Sequence, residues 1–176
     1  MARPRPPRRS ALRGGHPLIF VTVGAQMPFD RMVRAVDDWA AQRGRDDVLA
    51  QIGDTDYRPQ HIQWRQFIEP DHFEQFFDRA DAIVAHAGTG SIITAMQFGK
   101  PILVMPRRAE LMETRNNHQV ATADRFKEQF SIAVAYDETE MPQRLDELHS
   151  LGRVSGFRAA ASDQLINCLR EFFEHE

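Results

Sequence analysis

Between Ile83 and Pro106 the chain reads IVAHAGTGSIITAMQFGKPILVMP, and this stretch constrains the fold more than any other. Two apolar runs of strand length, IVA and PILVMP, bracket a His-Ala-Gly-Thr-Gly-Ser turn and a short helical pattern, SIITAMQF. Gly99 stands where a helix closes with a left-handed residue, and Pro101 just beyond cannot continue it. A strand, a helix and a second strand make the unit of a parallel sheet, with a right-handed crossover. A histidine, two glycines and two hydroxyls at the hand-over from strand to helix are more than a turn needs.

The same alternation runs through the rest of the chain. LIFVTVG (residues 18–24) is a buried-strand run closed by glycine. Pro28 opens a helix with Phe29, Met32, Val33, Val36, Trp39 and Ala40 at helical spacing. VLAQIG (48–53) is a second strand, followed by a turn-rich DTDYRP, and HIQWRQFI (61–68) is a third, less apolar one. Pro70 leads a helix through Phe73, Phe76 and Phe77 up to the strand ADAIVAH (80–86). After the fifth strand, PILVMP, Asn117 to Lys127 reads as helix, SIAVAY (131–136) as a sixth strand and 140–150 as a short helix. Phe157, Ala161, Leu165, Leu169 and Phe172 or Phe173 line one face of a closing helix over 156–174. The predicted class is α/β, a single Rossmann-like domain with a parallel sheet over residues 17–150. A C-terminal helical segment, 151–176, packs on that domain or on a partner.

At 176 residues the chain has the length of one domain, and its 42% hydrophobic and 27% charged residues are ordinary for a soluble globular protein. No apolar run approaches the ~18 residues that a membrane span needs. The single cysteine, Cys168, can form neither an internal disulfide nor a thiol metal cluster, which points to a reducing cytoplasm. The net charge of −3 conceals an asymmetry, because residues 1–15 hold five arginines and no acid. That segment lacks the apolar core of a secretory signal. It reads as a basic disordered leader, 1–16, or as an arm that meets anionic lipid headgroups. An acidic body without a basic, aromatic-interleaved patch argues against nucleic acid as a partner.

In an open parallel sheet, ligands bind outside the carboxyl ends of the strands, where helix N-termini present free N–H groups. Two loops fall there: Gly24-Ala25-Gln26 after the first strand, and His86 to Ser91 after the fourth. Glycines at 88 and 90 let the backbone approach a ligand, and a helix starting near Ser91 offers orphan donors to an anion. Thr89, Ser91 and the His86 imidazole add side-chain donors. Together they form a diphosphate cradle; the competing reading is a tight turn whose glycines serve geometry and whose Ser91 caps the helix. Other signatures do not fit. Ile93 occupies the third glycine position of GxGxxG, no Walker A lysine follows, and there is no GxSxG elbow.

The run HAGTGSIITAMQFGKPILVMP, continued by RRAELMETRNNHQVATA, resembles the donor-binding half of glycosyltransferase family 28, whose architecture is GT-B. FVTVGAQMPFDRMVRAVDDWA (20–40) and AQIGDTDYRP (50–59) are similar to the same family in the family's order, so the resemblance runs from about residue 17 to Tyr136. Within the family the chain looks most like bacterial exopolysaccharide subunits of the PssE type. Those are similar to the catalytic subunit of the two-part eukaryotic transferase that adds N-acetylglucosamine to dolichol diphosphate-N-acetylglucosamine. The resemblance implies that the domain is equivalent to the C-terminal, donor-binding half of a GT-B enzyme. It places the diphosphate of a UDP-sugar on His86, Gly88, Thr89, Gly90 and Ser91, with Gly24 beside it. Asn117, His118 and Gln119 would reach the donor sugar or ribose. Many relatives hold the ribose hydroxyls through a glutamate on the helix after the glycine loop. That position is Thr94 here, and Glu113 is the candidate substitute.

A GT-B transferase closes two Rossmann-like domains over its substrates, and this chain has residues for one. The resemblance therefore implies inverting transfer from a UDP-sugar to a polyprenyl-diphosphate-linked glycan, in exopolysaccharide or capsule synthesis. The acceptor site would lie on a small membrane-anchored partner subunit, which recruits the chain from the cytoplasm to the membrane face. The alternative is a non-catalytic nucleotide-sugar-binding subunit that stabilises or regulates a partner transferase. No metal or other cofactor is expected, since helix dipole and donor groups can stabilise the leaving diphosphate. Asp54-Thr55-Asp56 has the DxD form with which other transferases hold a divalent ion, but in a turn before Tyr57-Arg58-Pro59 it reads as solvated. No residue is assigned as the general base. His86 suits a phosphate donor, and His118, amid amides, a donor contact or a structural group.

Overall fold

The computed structural model describes residues 18–148 apart from Gln26 and Ser131, so the expectations for the leader (1–16) and the closing helix (151–176) lie outside the described residues. The apolar runs become six strands: β1 (Ile19–Thr22), β2 (Val48–Gln51), β3 (Gln63–Arg65), β4 (Ala82–His86), β5 (Ile102–Met105) and β6 (Ala133–Val134). Five α-helices join or follow them, with none between β2 and β3: α1 (Asp30–Arg43), α2 (Pro70–Arg79), α3 (Thr89–Gln97), α4 (His118–Phe130) and α5 (Met141–Glu147). The sheet order is β3-β2-β1-β4-β5-β6, and every neighbouring pair is parallel. This is the Rossmann-like arrangement that the alternation predicts.

Both faces of the sheet are covered, which is why its central strands read as unbroken apolar runs instead of alternating. Ile19, Val21, Ala50 and Val84 cluster with Met32, Val36 and Trp39 of α1 and with Met141 and Leu145 of α5. Phe20, Leu49, Ile83 and Val104 cluster on the other side with α2, α3 and α4. There Phe20 meets the rings of Phe73, Phe76 and Phe77 at centroid distances of 5.6, 5.5 and 5.5 Å, within the range in which aromatic pairs add to simple burial.

Chain order reverses between β1 and β4. From β1 the chain moves outward through β2 to β3, then returns to the other side of β1 and moves outward again through β5 and β6. A crevice must open at the carboxyl ends of the two central strands, because their following loops leave in opposite directions. Val23 and Gly24 follow β1 there, and His86 ends β4.

Most boundaries move by a few residues, and three of the differences bear on the architecture or the site. The third strand pairs only over Gln63–Arg65 and is exposed along its length, since it is an edge with one neighbour. The sixth is reduced to Ala133–Val134. Most relevant to the site, α3 begins at Thr89 instead of near Ser91, so Thr89, Gly90 and Ser91 form its first turn. Gly99, at φ 61°, follows its last turn as the sequence predicts.

Candidate functional site

A cleft of about 630 Å³ lies at the switch point. Gly24, Ala25 and Gln51 line it from the ends of β1 and β2, and His86 from β4. Gly90, Ser91 and Thr94 line it from α3. The segment from β3 into α2 contributes Ile68, Pro70 and Phe73, largely apolar, together with the Glu74 carboxylate.

The His86 ring occupies the space between two glycines. A Cβ on Gly24 would lie 2.5 Å from its Cε1, and one on Gly88 would lie 2.2 Å from its Nε2. Gly24 has φ +82° as well, so both backbone and ring require glycine there. Gly88 has an ordinary φ of −86°, so the ring alone excludes a side chain. A Cβ on Gly90, by contrast, would meet nothing within 4 Å. The three glycines thus divide: two make room for the histidine, and one leaves the helix end open.

Enclosed in this way, His86 Nδ1 is buried without a hydrogen-bond partner. Burial, reinforced by the positive charge of Arg107, pushes the imidazole pKa down to about 4, with the Thr22 backbone opposing more weakly. His86 is neutral at pH 7, and a neutral imidazole carries one N–H. The Gly24 end of the crevice is fixed by a buried pair. Thr22 Oγ1 donates to Gln51 Oε1 at 2.9 Å and accepts the Gly24 N–H at 3.2 Å, while Gln51 Nε2 donates to the Gly24 carbonyl at 3.1 Å.

Gly88 is the N-cap of α3, and no side chain caps the helix. The turn reading in which Ser91 serves as cap therefore loses its bond. Ile92 N–H is the first to find a helical acceptor, the Gly88 carbonyl at 3.2 Å. The N–H groups of Thr89, Gly90 and Ser91 precede it at the positive end of the helix, where an anion is favoured. Thr94 Oγ1 turns back to the Gly90 carbonyl at 2.9 Å and is the residue that faces the cleft where a carboxylate was expected.

A second, smaller pocket of about 100 Å³ lies on the other side of His86, lined by Val23, Met27, Arg107, Glu113, Thr114 and Gln119 among others. Glu113 does not line the large cleft. Its carboxylate is held by Arg31, whose Nε and Nη2 donate at 2.7 and 2.8 Å, and it also accepts the Arg108 N–H at 3.0 Å. Gln119 Oε1 accepts the Arg107 N–H at 3.1 Å, and Asn117 Oδ1 accepts the Ala109 N–H at 2.9 Å. Asp54 and Asp56 are exposed and lie on neither pocket. Among the described residues no group of three His, Cys, Asp or Glu side chains could hold a metal ion.

Residues 18–153 match the glycosyltransferase family 28 C-terminal domain. The chain belongs to this family. It is 28% identical over 137 residues to a UDP-N-acetylglucosamine transferase subunit ALG13 from Yarrowia lipolytica, covering 68% of this chain and 65% of the relative. To the protein of the same name from Saccharomyces cerevisiae it is 33% identical over 88 residues, 50% of this chain and 36% of the relative. The human ALG13 match covers 60% of this chain and 10% of the relative at 29% identity. The chain therefore spans less than two thirds of these curated relatives. Among solved structures, an NMR structure of ALG13 superposes with a TM-score of 0.60 at 20% identity, over 85% of this chain and 94% of the other. The calicheamicin glycosyltransferase CalG4 superposes with a TM-score of 0.57 at 19% identity, over 80% of this chain and 36% of that enzyme. At such identities the structural likeness speaks for the fold, the C-terminal half of a GT-B architecture.

Within this family 28 domain the sequence-named residues separate into two groups. Gly24, His86, Gly90, Ser91 and Thr94 line the large cleft together. Glu113 and Gln119 line the smaller pocket, and Asn117 and His118 are exposed at the start of α4. Gly88 and Thr89 line neither pocket; Gly88 abuts the His86 ring, and Thr89 offers its backbone N–H. Sequence reasoning passed over Thr22, Gln51, Glu74 and Arg107. For Gln51 a signal existed: a polar residue at the carboxyl end of a buried parallel strand points toward the crevice.

Proposed function

We propose that this family 28 domain binds a UDP-sugar and acts as the donor-binding subunit of a two-component inverting glycosyltransferase. One observation carries the reading: three open N–H groups at the start of α3 stand beside a neutral histidine on a cleft at the switch point. The diphosphate lies on the Thr89, Gly90 and Ser91 N–H groups, and the His86 imidazole stands beside them, Nε2 being the nitrogen nearer Gly88. Oriented backbone donors and a helix dipole stabilise the charge that develops on the leaving diphosphate. The base and ribose pack along Ile68, Pro70 and Phe73, with Glu74 and Thr94 as the groups available to the ribose hydroxyls. The sugar reaches toward the smaller pocket, where Gln119 and Thr114 stand. Glu113, the carboxylate in that pocket, is already held by Arg31, which favours a base and an acceptor site supplied by a partner subunit. A polyprenyl-diphosphate-linked glycan is the acceptor class that fits the ALG13 relatives' transferase role, and the partner then provides attachment to the membrane. Exopolysaccharide assembly is the setting proposed from the PssE-type resemblance. Among the described residues no helix is long and apolar enough to cross a membrane.

Gly90→Ala tests this directly. Its new Cβ meets no protein atom, and alanine is favoured over glycine inside a helix by about 0.5–1 kcal/mol. The variant is expected to melt at or above the wild-type temperature while binding UDP about tenfold more weakly, because the Cβ stands where the phosphate approaches. Calorimetry should give the same wild-type affinity with and without EDTA. Unchanged UDP binding in the variant, or wild-type binding that vanishes with chelation, overturns the cradle.

A further inference from the structure

Arg107 is a buried charge that the donor-binding reading leaves unused. It is 4% exposed and follows β5 by two residues. Among the described residues its guanidinium donates to backbone carbonyls alone: Nη2 to Val23 at 2.8 Å and Met27 at 2.6 Å, Nη1 to Pro28 at 2.6 Å and Glu113 at 3.4 Å. The Phe29 ring centroid lies 4.6 Å from it. Three of the four carbonyls belong to the loop between β1 and α1, across the switch point from β5. Burial outweighs the attraction of the nearby Glu113 charge, so this cation costs stability, and an apolar side chain of similar size would cost less. The fork of an arginine is what holds several carbonyls in one geometry.

The tie is reciprocal. Arg31, in the first turn of α1, reaches the opposite way to the Glu113 carboxylate and to the Pro106 carbonyl, at 3.1 Å, and to Glu138 at 3.1 Å. The two arginines clasp the β1–α1 loop to the segment after β5. Thr22 and Gln51 fix the near end of that loop at Gly24, and Arg107 fixes its base at Val23 and its far end at Met27 and Pro28.

We propose that Arg107 is a positioning residue for the diphosphate cradle, holding the β1–α1 loop so that Gly24 keeps the His86 ring against the first turn of α3. The proposal rests on the donor-binding reading, but its structural half can be measured without UDP. Among the described residues, the charged groups that share the two pockets with His86 are Arg107 itself, Glu113 after β5 and Glu74 on α2.

Arg107→Lys and Arg107→Met in the full chain separate fork from charge. Lysine keeps the charge beside His86 and loses the fork; methionine loses both. Both variants are expected to bind UDP about tenfold more weakly and to speed amide exchange at Gly24 and Ala25. In an NMR titration the His86 pKa rises in the methionine variant and rises less in the lysine variant, a pattern that mere loss of fold stability does not produce. Should neither variant fold, Arg31→Gln loosens the other half of the clasp from a position closer to solvent. It is expected to speed exchange at the same amides. UDP affinity within about twofold of wild type in folded Arg107→Lys overturns the proposal; so does unchanged loop exchange in any of the three variants. A wild-type chain that fails to bind UDP overturns the donor-binding reading instead, and the exchange and titration results then decide the clasp by themselves.

Discussion

Lowering the pH through the window in which only the unfolded chain protonates His86 is expected to destabilise the domain by an amount the structure sets. Enclosed between Gly24 and Gly88, the imidazole has its pKa moved from an ordinary 6.5 to about 4. The folded value is depressed, so the contribution is fully present above pH 6.5 and is lost as pH falls toward about 4. Below that both states are protonated and the loss stops growing. A difference of about 2.5 units at 1.36 kcal/mol each gives about 3 kcal/mol, a large share of the ~5–15 kcal/mol that holds a typical domain. Asp37 acts in a separate window. Burial works to raise its pKa, but hydrogen bonds from the Gln60 and His61 N–H groups, the Tyr57 hydroxyl and the Ile62 N–H outweigh it and hold the carboxyl below 3.8. Its stabilisation is lost only as pH falls below that unfolded value.

Urea unfolding of wild type and His86→Gln from about pH 7 to about pH 4.5 isolates the histidine, because every other group titrates in both proteins. The wild-type stability should fall relative to the variant by up to about 1.4 kcal/mol per pH unit in the middle of the window. Parallel profiles would refute the reasoning, since they would mean that His86 takes up its proton equally in folded and unfolded chains. The enclosure by the two glycines would then have no energetic consequence.

Two further perturbations test the same architecture. Gly88→Ala should cost about 1–3 kcal/mol in wild type, because its Cβ would press on Nε2, and almost nothing in a His86→Ala background. Gly24→Ala should keep a residual cost of about 1–2 kcal/mol in that background, because its φ of +82° stays unfavourable whatever the ring does; chemical denaturation of the two double-mutant cycles measures both. Away from the site, Asp37→Ala should lower stability by about 3 kcal/mol or more. It orphans the N–H groups of Gln60, His61 and Ile62, bound now at 2.9, 2.8 and 3.1 Å, and the shift in urea midpoint reads the loss.

The elements that sequence made legible are those whose pattern is local. A strand buried on both faces shows as an unbroken apolar run, and α1 shows its buried stripe from Met32 to Ala40 at helical spacing. The edge strand β3 was read too long because HIQWRQFI has strand-like composition, yet only Gln63–Arg65 finds a partner in β2. The crevice itself was legible, since alternation fixes which loops share the carboxyl end. The purpose of its glycines was not. Gly24 and His86 are far apart in the chain, and only pairing of β1 with β4 brings them together, Thr22 opposite Ala85. Arg107 was equally hidden, because an Arg-Arg pair after PILVMP looks like a solvated exit from a strand, and only the fold shows the carbonyls that receive it.

In this chain the two glycines of HAGTGS carry different demands. Its first glycine answers to the histidine two residues earlier, whose ring leaves no room for a Cβ. Its second has open space where a Cβ would stand. Only the first of them should therefore respond to a change at residue 86. Removing the ring frees position 88 to accept a side chain and leaves the demand at position 90 unchanged. A motif that looks like one glycine-rich loop thus holds one glycine that the fold's own histidine requires and one that no protein atom requires.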